Sequence, residues 1–301
     1  MKLNILGCYS ATPRAFTNPT AQVLEINNHI FLIDCGEGTQ VQLRRHKIKF
    51  NRIKHIFISH LHGDHCFGLA GLISTLHLLG READLHIHAP KGLKESVLLQ
   101  LKLGKSYTNY KLIFHELTNK ESEVVFEDEK VTVSTIPLDH RVYTNGFLFQ
   151  EKEGERKLDM NAILNDDIAV AYYRKLKQGF DVTNERGELV KNETMTKPPK
   201  PPKSYAFCSD TVYKEAIVPI IKNVTVLYHE STFLDQHEKL AQPTKHCTAK
   251  QAASIAKQAN AGFLVLGHYS TRYGDLNLFK EEAQTVFENV LLGDDGKVFE
   301  F

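Results

Sequence analysis

The segment that most constrains this chain is Ile56-Phe-Ile-Ser-His60-Leu-His62-Gly-Asp64-His65. A short apolar run at 56–59, read as a buried strand, leads straight into four side chains of metal-ligating type within six residues. His60 and His62 are two residues apart, so in extended backbone their imidazoles share one side. Gly63 permits a sharp turn that swings Asp64 and His65 toward a second point nearby. Imidazole nitrogen and carboxylate oxygen without thiolate favour zinc, with manganese or iron as lesser alternatives. Catalytic zinc usually takes three protein ligands and a water, so two ions need more donors than this loop supplies. Further along, the pattern of apolar strand, small or polar residue, then ligand recurs three times. His140 follows a strand at 131–137, Asp210 follows 205–208, and His268 follows 263–267.

Around this loop, strands alternate with helices. Runs at 3–6, 23–26 and 30–33 read as strands, with Asn27-Asn28 as a tight turn between the last two. Apolar spacing predicts helices over 39–45, 69–79 and 93–103, with a strand at 85–89. Strands follow at 113–116, 124–126, 131–137 and 146–150, and again at 205–208, 224–228 and 263–266. Helices are expected at 213–221, 248–258 and 278–289. Between them, 151–203 changes texture. It opens on a charged run, holds a possible helix at 166–177 with Arg174, Lys175 and Lys177 at its tip, and closes on Lys197-Pro-Pro-Lys-Pro-Pro-Lys203. That proline run cannot join a sheet interior, so the segment reads as an excursion from the domain surface. Strand-rich and helix-rich stretches in both halves favour an α+β sandwich with outer helices over a parallel barrel.

The 301 residues suffice for one large domain with a sizeable core. Lys+Arg is 37 against Asp+Glu 36, so any basic footprint must be local. Arg44–Lys54 is such a footprint, with six Lys or Arg and no acid, and could contact phosphates. No run of about 18 apolar residues is present, so no membrane span is expected, and the N-terminus carries no secretory pattern. Five cysteines, odd in number and scattered, read as reduced thiols in a cytoplasm. Cys66 and Cys208 neighbour ligand-type residues but read as small buried packing.

These residues resemble the metallo-β-lactamase superfamily, and more closely the ribonuclease Z family, endonucleases that trim the 3′ ends of tRNA precursors. The resemblance rests on Asp34-Cys-Gly-Glu-Gly-Thr-Gln40, on Ile58–His65 running through Gly68-Leu-Ala-Gly-Leu72, on His229-Glu-Ser-Thr-Phe233 and on Gly267-His-Tyr-Ser-Thr-Arg-Tyr273. It spans the chain from about Leu3 to the C-terminal helix. It implies a single four-layer αββα sandwich over 1–301, with 151–203 in the position of the family's protruding tRNA-clamping arm. It implies two zinc ions, one held by His60, His62 and His140, the other by Asp64, His65 and His268, with Asp210 bridging. Two cations sharing a water lower its pKa and stabilise attacking and leaving oxygens, and Asp64 could orient that water or accept its proton. His246 would be the proton donor for the leaving oxygen and Glu230 its orienting partner. Asp34 would fix a ligand histidine from behind; an ordinary turn aspartate is the alternative.

The implied substrate is precursor tRNA, and the implied assembly a homodimer. The chain departs from the family in three places. Cys247 follows His246 where serine is usual. The arm lacks the usual Gly-Pro motif and carries eleven basic and ten acidic residues. The loop Thr12-Pro13-Arg14 through Asn18 matches best at Asn18 only. Two other readings stay open: a small-molecule phosphodiesterase or arylsulfatase of the same superfamily, and a non-catalytic RNA-binding relative.

Overall fold

The computed structural model describes residues 1–12 and 14–301; Pro13, in the loop just named, lies outside them. β1 (Lys2–Gly7), β2 (Ala21–Ile26) and β3 (His29–Ile33) form an antiparallel meander. Asn27 and Asn28 turn the second hairpin with φ of 45° and 67°, the left-handed pair a two-residue hairpin demands. α1 (Thr39–Arg45) then leads to β4 (Ile53–Phe57). The short α2 (Gly63–Cys66) and α3 (Leu69–Leu78) lead to β5 (Leu85–Pro90), and α4 (Leu93–Leu103) to β6 (Leu112–Leu117). β3 to β6 are parallel, and the C-terminal strand Val298–Glu300 closes on β1 at the other edge.

The second sheet has the order Val290–Leu292, Phe263–Gly267, Val226–Glu230, Ser204–Cys208, β9 (Asn145–Glu151), β8 (Val131–Pro137), β7 (Val124–Glu127). Its first four strands are mutually parallel. Side-chain alternation explains the layering. In β3, Phe31 and Ile33 enter the core between the sheets, where Phe31 and Phe57 meet Phe147 and Phe149. Ile30 and Leu32 face the other way, under α1, α3 and α4. Helices Ala249–Gln258 and Asn277–Gln284 cover the second sheet with Ala252, Ala256, Phe279 and Ala283. The body is therefore the αββα sandwich.

Thr248 caps the first of these helices. Its hydroxyl accepts from the Gln251 N–H while the Gln251 side chain accepts from the Thr248 N–H. Thr248→Ala is expected to cost about 1 kcal/mol, read as a lower urea midpoint at unchanged m-value.

Three expected helices differ. At 213–221 only a turn of 3-10 helix forms, Glu215–Ile217, because Pro219 has no N–H to return to Glu215. The C-terminal helix stops at Gln284, and the chain re-enters the sheet at Val290. The helix expected at 166–177 is confined to a 3-10 turn, Val170–Tyr172, that runs into the short α-helix Tyr173–Lys177. Upstream, Asp159 caps a helix Met160–Asn165, which ends where Asp167 turns left-handed at φ 51° and Ile168 N–H bonds Ile163 O. The sequence reading also omitted the helix Glu238–Thr244, which contains Pro243.

Chain contacts divide the molecule into Met1–Gln150 with Lys203–Phe301, and Glu151–Pro202. The second unit has its own small core of Ile163, Ile168, Leu176, Val182 and Met195. It is tied by two short strand pairs, Lys157–Leu158 with Thr196–Lys197 and Val182–Thr183 with Leu189–Val190.

Candidate metal centre

All the ligand-type residues sit just beyond strand ends. His60, His62, Asp64 and His65 follow β4, and His140 follows β8. Asp210 follows Ser204–Cys208, and His268 follows Phe263–Gly267. Two close backbone approaches hold this end together. A side chain at Gly68 would meet Gly36 O at 2.0 Å, which seats the Asp34 segment against the metal-type loop. One at Gly267 would meet the Tyr228 hydroxyl at 2.1 Å, and the next residue, His268, takes a left-handed φ of 61°.

The side chains converge in two sets that share one carboxylate. His60 Nε2 and His62 Nδ1 are 3.0 Å apart, and Asp210 Oδ2 lies 3.7 Å from His60 and 3.8 Å from His140. The other oxygen, Oδ1, lies 3.5 Å from His65 Nε2 and 3.3 Å from His268 Nε2. Asp64 Oδ2 faces the same two histidines at 3.4 and 3.5 Å. Ligands of one tetrahedral zinc stand about 3.3 Å apart, given Zn–N of about 2.0–2.1 Å, so both sets have ligand spacing. His65, His140 and His268 each bury Nε2 with no hydrogen-bond partner among the described residues. A buried orphan acceptor is costly, and three of them aimed at one carboxylate fit metal ions.

What fixes those rings is a set of oxygens behind them. Asp34 Oδ2 takes His65 Nδ1–H at 2.7 Å and the Ser59 hydroxyl at 2.9 Å. With its proton committed to Asp34, the Ser59 oxygen accepts from His60 Nδ1 at 3.1 Å. The same logic recurs across the site. The Thr232 hydroxyl donates to Glu230 Oε2 at 2.8 Å, so its oxygen accepts from His268 Nδ1 at 2.8 Å. His140 Nδ1 donates to Lys245 O at 2.9 Å. In each case the proton is pinned on Nδ1 and the Nε2 lone pair is left to face inward.

Glu230 is fully buried yet accepts five hydrogen bonds: from Thr211 N, Thr232 N, Thr232 Oγ1, Cys247 N and His246 Nδ1, the last at 2.9 Å. Burial pushes its carboxyl up, but the His246 charge and hydrogen bond outweigh that and leave it lowered. Conversely, burial works against charge on His246, while Glu230 pushes its pKa up to about 9. Burial would also raise Asp210, but His268, His65 and His60 hold it below the ordinary carboxylate range. Cys247 serves Glu230 through its backbone N–H, and its thiol bonds Thr211 O, so the departure from serine leaves the Glu230 contact intact.

A cavity of about 410 Å³ opens over these groups, with His62, Asp64, Asp210, His246, His268 and Arg141 in its wall. Other expected positions lie elsewhere. Asn18 is not in this wall; its N–H and amide both bond Asp295 at 2.7 Å and tie down the loop. Arg52 and Lys54 stand where β4 begins and line a different cavity. The length of that strand, roughly 17 Å for five residues, separates them from His60. Burial raises the thiol of Cys66 to about 12 and raises that of Cys208 too, so neither is a thiolate at neutral pH. Ser59, Thr232, Thr211 and Arg141 were not singled out by sequence reasoning. Ser59, Thr211 and Arg141 adjoin residues that were, and Thr232 lies two residues from Glu230.

A family model described as "Anti-Pycsar protein Apyc1" matches residues 1–162, a stretch that ends before Asp210, Glu230, His246 and His268. Full-length relatives cover those residues. The "Ribonuclease Z" of Bacteroides fragilis is 46% identical over 294 residues, 98% of this chain and 97% of that protein. The "Ribonuclease Z" of Bacteroides thetaiotaomicron is also 46% identical, over 97% of this chain and 92% of the other. The chain belongs to the ribonuclease Z family. The crystal structure of human tRNase Z, short form, superposes with a TM-score of 0.73 at 26% identity, covering 100% of this chain and 99% of that one. A ribonuclease Z family member with this centre binds metal, and among the described residues Asp34 reaches that centre through His65 and Ser59. Asp34→Asn is therefore expected to weaken metal affinity about 10–100-fold. Titrating the stripped protein with metal against a competing chelator measures it; unchanged affinity would return Asp34 to an ordinary turn residue.

Proposed function

We propose that this chain is a zinc-dependent endoribonuclease that removes 3′ trailers from tRNA precursors, leaving a 3′-hydroxyl on the tRNA and a 5′-phosphate on the trailer. The observation that carries the reading is Asp210, whose two oxygens face two separate sets of imidazole nitrogens under one cavity. His60, His62 and His140 would hold one zinc ion, and Asp64, His65 and His268 the other, with Asp210 shared. When bound, the ions supply positive charge that acidifies a water and offsets the charge growing on the phosphate oxygens. Asp64, in the cavity wall, orients that water or takes its proton. His246 gives a proton to the leaving ribose oxygen, and Glu230 holds its ring and charge in place.

The substrate would be held by 151–203 as the tRNA-binding arm. Its supports are the basic helix Tyr173–Lys177, Lys175 over the Tyr172 ring at 5.7 Å, and the exposed rings and aliphatics of Phe180 and Val170. Gln150 pairs with Ser204 in adjacent strands, so a short Gly-Ser turn can replace 152–202 and close a hairpin. That deletion is expected to raise KM for precursor tRNA at least about tenfold, roughly 1.4 kcal/mol, while hydrolysis of bis(p-nitrophenyl) phosphate stays unchanged. An unaltered precursor KM would remove the arm from substrate binding.

A second copy of this chain would cover the apolar groove of Val41, Leu78 and Leu79 on α1 and α3, making a homodimer. Sedimentation of Leu78→Glu as a monomer beside a dimeric wild type would test this. A cytoplasmic setting suits five free, buried thiols, and among the described residues no helix is long and apolar enough to cross a membrane. The deciding assay is cleavage of a 3′-extended tRNA precursor, with metal content measured on the same sample. Cleavage just after the discriminator base is expected. Hydrolysis of a simple diester without action on the precursor would instead make the chain a small-molecule phosphodiesterase, and RNA binding without any hydrolysis a non-catalytic relative.

A further inference from the structure

The turn after β8 carries a cation to which the reaction as argued gives no task. Arg141 follows the ligand-type His140 and, among the described residues, is the one lysine or arginine in the wall of the 410 Å³ cavity over the metal centre. It also lines a second cavity, of about 480 Å³, together with Lys120, Lys214 and Tyr143, and is the residue common to both walls. Its charge bears on His62 and on His246. Yet the side chain is exposed, and its guanidinium makes no hydrogen bond or ion pair among the described residues. The one acid in the second wall, Asp139, is held by Lys245 Nζ at 2.8 Å. The backbone beneath is fixed. Val212 N–H donates to Asp139 O at 3.0 Å, Asp139 N–H to Thr211 Oγ1 at 3.1 Å, and His140 Nδ1 to Lys245 O at 2.9 Å. A pinned turn thus presents an unpaired fork of N–H donors where two cavities meet.

An RNA strand brings one negative charge with every nucleotide, and the ions of the proposed centre meet only the phosphate being cut. Its neighbours enter a cavity whose wall carries the carboxylates of Asp64 and Asp210. We propose that Arg141 is a specificity-determining residue that holds the phosphate next to the scissile one, and that the strand continues past it into the cavity of Lys120 and Lys214. The inference rests on the endoribonuclease reading above and deepens it, because it gives the site a reason to prefer a polynucleotide over an isolated diester. A guanidinium suits this task, since two parallel N–H···O bonds fix a phosphate in position as well as in charge. Lys120 is exposed, and Lys214 spends one donor on Pro137 O at 2.9 Å, so both add attraction without a fork. Gripping the strand one phosphate away sets the reacting phosphate over the centre, with binding energy drawn from outside the bond that breaks.

The test compares the metal-loaded full chain with Arg141→Ala and Arg141→Lys on a 3′-extended tRNA precursor and on bis(p-nitrophenyl) phosphate, which has no second phosphate. Arg141 is exposed, so both variants are expected to fold and to keep wild-type metal content, with circular dichroism and metal analysis as checks. For Arg141→Ala, kcat/KM on the precursor should fall about 10–100-fold, mostly through KM, as expected for a lost charged hydrogen-bond pair. The log–log dependence of KM on salt should flatten by about 1. The loss on the simple diester should be less than about threefold, and Arg141→Lys should recover only part of the precursor loss because it keeps the charge without the fork. A methylphosphonate placed at one of the two phosphates flanking the cut should cost wild type as much as the Ala substitution does, and cost Arg141→Ala nothing more. Equal losses on both substrates would put Arg141 on the reacting phosphate or on His246 and overturn the proposal, as would a precursor KM and salt slope unchanged in Arg141→Ala. Wild type inert on the precursor would fell the endoribonuclease reading and this inference with it, whereas cleavage by wild type beside an equally active Arg141→Ala overturns this inference alone.

Discussion

Asp210→Ala should lose the metal of the proposed two-ion centre and precursor cleavage together, with kcat/KM dropping at least about a thousandfold. The size follows from what the side chain touches. Its two oxygens face His60 and His140 on one side and His65 and His268 on the other, at 3.3–3.8 Å. Removing it takes one ligand from each set and the shared negative charge between them. Losing transition-state charge stabilisation of about 4 kcal/mol corresponds to roughly three decades in rate. Asp64→Ala provides the contrast, because Asp64 faces only His65 and His268. That variant should keep one ion while cleavage falls by a similar factor. Metal analysis on the purified variants separates the two cases. If Asp210→Ala kept two ions and near-normal cleavage, the two sets would not share a carboxylate.

The convergence of these side chains has a simple origin in the sequence. Each follows an apolar run that reads as a buried strand, and the parallel strands that end before Asp210 and His268 bring their C-terminal ends to one side of the second sheet. Those two are therefore legible as neighbours from the pattern, whereas His60 ends a strand of the first sheet and meets them only because the two sheets pack face to face. The oxygens behind these ligands are not legible that way. Ser59 and Thr232 act because Asp34 and Glu230 already hold their hydroxyl protons, and that depends on partners 25 and 2 residues away in conformations no pattern specifies. Arg52 and Lys54 show the opposite limit. A basic run is visible at once, but charge alone does not say which end of β4 it occupies. The chain's helix reading fails where a single residue overrides periodicity, at Pro219 and at left-handed Asp167.

His246→Ala should cost about 10²–10⁴-fold in kcat on precursor tRNA, yet far less on bis(p-nitrophenyl) phosphate. The two substrates differ in what must leave. A ribose 3′ oxygen departs as a strongly basic alkoxide unless it is protonated as the bond breaks, whereas nitrophenolate is stable at neutral pH without a proton. A residue whose task is to supply that proton therefore matters only to the first. Glu230 fixes the ring that would do this, accepting His246 Nδ1–H at 2.9 Å while Thr211, Thr232 and Cys247 hold the carboxylate itself. Glu230→Gln should reproduce the pattern with a smaller loss, since the amide can still orient the imidazole but no longer carries the charge that favours its protonated form. It also disturbs His268 through Thr232, so its metal content must be measured alongside. An equal loss on both substrates in His246→Ala, with metal content intact, would mean that His246 shapes the cavity or binds phosphate and that the leaving oxygen takes its proton elsewhere.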